Sequence, residues 1–124
     1  MTAGDVITDR ARLILNDPSS TRWADAVLID FLNDGVQYIS DMRPDSLLTA
    51  SYTLGTVTDV TAIGNTVSIG DRYREALAHF VASRAFATEG KNRRDLARAD
   101  ASAKQFAFLS GLPQPRMLTP DRRG

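Results

Sequence analysis

The chain has 124 residues, 43% of them hydrophobic and 24% charged, and its 15 Lys and Arg balance 15 Asp and Glu. That length suits one domain with a single core that needs no covalent staples. The lack of cysteine excludes disulfides, thiolate catalysis and cysteine-ligated metals, no apolar run approaches the ~20 residues of a membrane span, and the opening MTAGDVITD is too polar for a signal peptide.

The neutral total hides an asymmetry. Residues 1–83 hold six Lys and Arg against eleven Asp and Glu, a charge of −5, whereas residues 84–124 hold nine against four, a charge of +5. Opposite patches of this kind can steer head-to-tail association; solvated helix faces account for them equally well.

Thr2 with Asp5 reads as a capping box with Asp in the Glu place, and Val6, Ile7, Ala11 and Ile14 recur behind it at helical spacing. Pro18 in NDPSS ends this first helix. In the second, Leu28, Phe31, Leu32, Gly35, Val36 and Ile39 mark one apolar face. With Ala24 as N-cap, Trp23 falls at N′ and Leu28 at N4, the two positions of a hydrophobic staple. Trp23, the only tryptophan, is therefore expected to fix the angle at which the chain enters the helix. Gly35 on the apolar face predicts a close approach by another backbone. MRPD, Met42 to Asp45, closes the helix.

Residues 48–69 are rich in Thr, Val and Ser with glycines at turns, and read as a β insertion. Gly64-Asn65 suits a two-residue hairpin turn that places Ala62 opposite Val67 and Val60 opposite Ile69. Tyr52 and Leu54 alternate similarly, which predicts a third short strand. A lone hairpin is marginal in water, so this one must pack on the helices or on another molecule.

Asp71 is the expected cap of the third helix, in which Tyr73, Leu77, Phe80, Val81 and Arg84 share a broad face and which Gly90 ends. Asn92 and Asp95 open the fourth helix, with Leu96, Ala99, Ala103, Phe106 and Ser110 as its stripe. Its alanines at 97, 99, 101, 103 and 107 make it thin enough to lie close to a neighbour. Gly111 reads as the C′ glycine, with Leu112 folding back toward Ala107. The final LPQPRMLTPDRRG cannot form helix or central strand. It is either a disordered tail or an arm that docks on a partner. The expected fold is thus mainly α: a four-helix bundle over residues 1–111, three short β strands between the second and third helices, and an extended arm over 112–124.

No catalytic, cofactor-binding or metal site emerges. His79 is the only histidine, and Glu75 and Ser83, one helical turn to either side, do not form a triad with it. Acidic pairs such as Asp30 and Asp34 fit a solvated face. No nucleotide-binding glycine motif occurs. Lys91, Arg93, Arg94 and Arg98 make a modest basic cluster at the start of the fourth helix, where the helix dipole adds to them. They support an alternative reading as a small nucleic-acid-binding or regulatory protein. Asp95 and Asp100 interrupt that cluster, and no aromatics interleave with it.

The order of motifs carries more. VITDRARLILND is followed by RWADAVLIDFLNDGVQYISDMRPD, a short β region, IGDRYREALAHFVASRAFATEGKN, and an alanine-rich helix with a late phenylalanine. This resembles the small adaptor, head–tail connector or head-completion proteins of tailed bacteriophages, over Val6 to about Leu112. Arg22-Trp23 before an acidic residue, Leu32-Asn33-Asp34-Gly35, Arg43-Pro44-Asp45, and Tyr73, Ala76-Leu77 and Arg84-Ala85-Phe86 carry the likeness. Ala24 and Val27 stand where that pattern has a hydroxyl cap and a glutamate, so the capping box is lost, while the Trp23–Leu28 staple and Asp25 near the positive helix end remain.

The resemblance implies a role without catalysis or cofactor. Copies made in the host bacterial cytoplasm would form a ring, usually twelve-fold, beneath the portal in the virion neck. The ring would extend the DNA channel, pass the genome without sequence-specific contacts, and offer a platform to tail or nozzle proteins. The implied docking arm is Leu112, Pro113, Pro115, Arg116, Met117, Leu118, Arg122 and Arg123. The hairpin tip at Gly64 and Asn65 is a second contact, and Trp23, Leu28, Gly35, Tyr73 and Arg84 are structural.

Overall fold

The first helix begins as its residues dictate. Thr2 accepts from the Asp5 N–H, and the Asp5 carboxylate accepts from the Thr2 N–H, closing the capping box. The computed structural model describes residues 1–17, 19–20, 22–49, 51–89 and 93–114. Within it α1 (Ala3–Val6), a π-helical segment (Ile7–Ala11) and α2 (Arg12–Leu15) run on as one rod. A π turn is wider than an α turn, so the inward line passes through Ile7, Ala11 and Leu15. Ile14, expected inward, is only partly buried. The rod stops at Asn16 in the left-handed conformation that Asn tolerates, before Pro18 is reached.

Helix α3 (Asp25–Met42) starts behind Ala24, which offers no side-chain cap, and buries Leu28, Leu32, Gly35, Val36 and Ile39. A 3₁₀ turn (Pro44–Leu47) follows it. A second 3₁₀ turn (Asp71–Tyr73) leads into α4 (Arg74–Glu89), and α5 (Arg93–Ser110) completes the bundle. The cap before α4 is Gly70, not Asp71, which forms the first residue of the turn and accepts from the N-terminal ammonium at 2.6 Å.

Helix α4 is the axis of the molecule. Ala76, Leu77, Ala78, Phe80, Val81, Ala82, Ser83, Ala85, Phe86 and Ala87 are all buried, so it is covered over most of its circumference rather than along one broad face. Only Ala99, Ser102, Ala103, Phe106 and Ser110 of α5 are buried with Asp95, and the small side chains let the two helices lie close. An aromatic cluster joins three helices. Phe80 meets Phe106 with ring centroids 5.3 Å apart, and Tyr38 meets Phe106 at 5.8 Å and Phe80 at 6.3 Å.

The expected hairpin and its third strand do not form: among the described residues there is no strand, only isolated bridges between Thr2 and Thr66 and between Leu48 and Leu54. The alternation was a guide to burial only in part: Val60, Val67 and Ile69 do face the core, whereas Ala62, expected on the same side, is exposed. The pairing partner differs. The N–H groups of Ala3 and Gly4 donate to the carbonyls of Asn65 and Ile63, and the Val67 N–H donates to the Met1 carbonyl. A helix start carries unpaired N–H groups that need acceptors, and the 60–67 segment supplies them instead of pairing with itself. Asn33 completes the attachment from α3: its side chain accepts from the Val60 N–H at 2.8 Å and donates to the Val60 carbonyl at 2.9 Å.

Candidate docking surfaces

The residues singled out in the sequence fall into three places. The first is the interior. Trp23 is 3% exposed and presents its ring edge-on to Phe86 of α4, with centroids 6.1 Å apart. The Arg22 guanidinium lies over the Trp23 ring at 4.3 Å and also pairs with Asp95 of α5 at 3.3 Å. The tryptophan thus bears on α4, and Leu28, its expected staple partner, is fully buried in the same core.

Gly35 admits side chains rather than another backbone: a Cβ there would sit 2.9 Å from Phe80 Cδ1 and 3.1 Å from Leu77 Cδ2. Tyr73 is buried at the head of α4 under the Arg72 guanidinium. Arg84 reaches from α4 to Asp34 at 3.6 Å and covers Phe80.

A buried charge escaped the pattern reading altogether. Arg12 is 2% exposed. It donates to the Asp17 carboxylate at 3.1 Å, the Trp23 carbonyl at 3.0 Å and the Asp25 carboxylate. Asp17 also accepts from the N–H groups of Arg22 and Trp23. This network binds the rod's end to the start of α3.

The second place is the 48–69 loop. The exposed Asn65 side chain folds back on its own loop, its Oδ1 accepting from the Thr61 and Ala62 N–H groups and the Thr61 hydroxyl, while Gly64 beside it is open to solvent. The more exposed feature lies earlier. Tyr52 is 85% and Leu54 63% exposed, on a turn held by the Thr49–Thr53 hydroxyl pair at 2.8 Å. Next to it, Asp45, Ser46, Leu48, Gly70, Asp71 and Arg72 line a shallow hollow. Hydrogen bonding from Arg43 holds the Asp45 carboxyl below its ordinary range, and Arg72 adds to this.

The third place is the C-terminal stretch. Gly111 takes a φ of 71° and returns its N–H to Ala107, which lets Leu112 fold back and be buried. Tyr38 donates to the Pro113 carbonyl at 2.8 Å, and Gln114 donates to Asp100 at 3.3 Å. The base of the arm is therefore fastened to α3 and α5. Pro115, Arg116, Met117, Leu118, Arg122 and Arg123 lie outside the described residues, as do Lys91 and Asn92.

His79 sits half-buried. Burial pushes it below the ordinary imidazole range, Glu75 opposes that weakly, and Nδ1 has no partner. Among the described residues no cluster of His, Asp and Glu could hold a metal ion, and no helix is long and apolar enough to cross a membrane. What the surface does offer is exposed apolar side chains: Tyr52 and Leu54 on the 52–54 turn, and Phe108, which is 80% exposed on α5.

Compared with known proteins, residues 1–63 match the family model described as SU10 adaptor protein. No curated protein and no solved structure matches. The matched half ends inside the segment that caps α1, so it takes in the rod, the Arg12 network, α3 and the Asn33 clasp.

Proposed function

The chain belongs to the SU10 adaptor protein family, an adaptor family of the phage head–tail connector type, and from that membership we propose that it is a non-catalytic ring subunit of the phage neck. Copies dock on the portal, extend the DNA channel and present a platform for tail or nozzle proteins. Twelve copies are the expected number. The genome passes through the lumen without sequence-specific binding, and no cofactor is needed.

The family match over residues 1–63 is the observation that carries this reading. The architecture supports it. An adaptor must keep its shape while its appendages engage neighbours, and here α3, α4 and α5 are locked by the Tyr38, Phe80 and Phe106 rings. The appendages differ in kind. The loop is anchored at both the N-terminal turn and Asn33, and the arm is anchored through Leu112 to Gln114. Portal contact is assigned to the residues beyond that anchor, Arg116, Met117 and Leu118 first.

The test is co-sedimentation of the purified chain with assembled portal rings, beside a chain ending at Gln114. The full chain is expected in the portal fraction and in mature particles, and the shortened one is expected to be lost from both. Tight, steeply salt-dependent retention of duplex DNA with no affinity for portal rings would overturn the proposal.

A further inference from the structure

The outer faces of α3 and α5 are matched opposites. Along α3, Val27, Asp30, Asp34, Gln37 and Asp41 form one exposed line at helical spacing, with three carboxylates and no base. Along α5, Arg94, Arg98, Ala101, Gln105 and Phe108 form a second exposed line at the same overall length. Each line spans 14 residue steps, about 21 Å of helix. Lys104 beside the second line is already paired with Asp100 at 2.9 Å, so Arg94 and Arg98 carry its net charge.

Within one chain these faces do not satisfy each other. Asp34 pairs with Arg84 of α4 and Asp41 accepts from Gln37. No ion pair among the described residues links α3 to α5, and both helices spend their inner faces on α4. Each line also ends in an exposed apolar side chain, Val27 at 41% on one and Phe108 on the other.

We propose that the α3 face of one copy docks on the α5 face of the next. The occupant of each face is a second copy of this chain, chosen by charge complementarity with Val27 and Phe108 as the apolar contributions. The two faces are different surfaces, so the contact is heterologous and repeats from copy to copy, closing into a ring when the rotation allows. The inference deepens the neck-ring reading by naming its subunit interface, but it is tested without portal or tail. Exposed complementary charge governs encounter rate and register more than final affinity, and it weakens with salt as the Debye length falls below about 10 Å.

The experiment is sedimentation velocity on the full chain over a wide concentration range, at low and at high salt, with two charge-reversed variants. One carries Asp30→Lys with Asp41→Lys, the other Arg94→Glu with Arg98→Glu. All four positions are exposed, and circular dichroism checks that helix content is unchanged. The wild-type chain should self-associate at low salt. Each variant alone should associate at least about tenfold more weakly, because like charges then face each other. An equimolar mixture of the two should regain association, since each reversed face then meets its complement.

A wild-type chain that stays monomeric throughout overturns the proposal. So does a mixture no better than its components. A third overturning result is loss of duplex DNA retention in the Arg94/Arg98 variant with sedimentation unchanged, which would assign the α5 face to nucleic acid. A chain that self-associates this way yet ignores portal rings would sink the neck-ring reading and leave this interface standing.

Discussion

Arg12 donates to the backbone carbonyl of Trp23 across 3.0 Å, from a side chain almost wholly withdrawn from water. That bond, with those to Asp17 and Asp25, makes one guanidinium the joint between the N-terminal rod and α3. Replacing Arg12 with Met would leave the Asp17 carboxylate buried without its cation. The expected loss is about 3–5 kcal/mol, measured by urea unfolding. Arg12→Lys should recover little, because a single ammonium cannot reach all three acceptors in their fixed directions. A loss below about 1 kcal/mol for the methionine variant would show the network to be incidental.

Gly35→Ala sets two effects against each other. Alanine is the better helix former by about 1 kcal/mol. Its Cβ, however, would arrive 2.9 Å from Phe80, which cannot retreat because Phe106 and Tyr38 pack against it. Overpacking costs about 1–3 kcal/mol, so the variant should be net destabilised. Combining it with Phe80→Leu should cost less than the sum of the two single changes, which a double-mutant cycle on thermal melting would read.

Asn33→Ala should release the 57–63 segment while leaving the helices in place. The Asn33 amide satisfies both backbone groups of Val60, and unpaired buried groups cost about 1–3 kcal/mol. Hydrogen exchange should accelerate at Val60 and at Ala3 and Gly4, whose acceptors lie on the same segment. Asn33→Asp should be worse than alanine, because a carboxylate would face the Val60 carbonyl with no proton to donate. Unchanged exchange at Ala3 and Gly4 would argue that the loop holds to the N-terminal turn by itself.

Acid should weaken the fold through His79. Burial favours its neutral form, placing its folded value below the ordinary 6.5. As pH falls through 6.5 the unfolded chain takes up the proton first, so stability is present above that value and lost below it. His79→Gln should flatten melting temperature against pH in that window, leaving only the carboxylate-driven loss at lower pH. A parallel slope in both chains would acquit the histidine.

Local signals in the sequence were reliable where the physics is local. The Thr2–Asp5 capping box, the start of α3 behind Ala24 and the reversal at Gly111 all depend on neighbours within a few residues. Arg12 was not legible. An arginine in a helix pattern is assigned to solvent, and its acceptors belong to a loop and a helix start that periodicity does not connect. The 60–69 alternation correctly marked Val60, Val67 and Ile69 as inward, but alternation does not name the partner. The unmet donors of the first helical turn decided that question. Of the docking residues, the fold places Leu112 and Pro113 against the body, while the arginine-rich remainder was legible only as composition.

The bridge between Thr2 and Thr66 also sets a timetable. A nascent chain emerges from its N-terminus, yet the carbonyls that complete its first turn, those of Ile63 and Asn65, belong to a segment synthesised much later. Closing so long a span carries an entropic penalty of several kcal/mol before any contact is gained. The opening helix is therefore secured late, and until then Ala3, Val6 and Ile7 remain available to chaperones and proteases, so that translational pausing before Val67 should be the vulnerable moment in this protein's biogenesis.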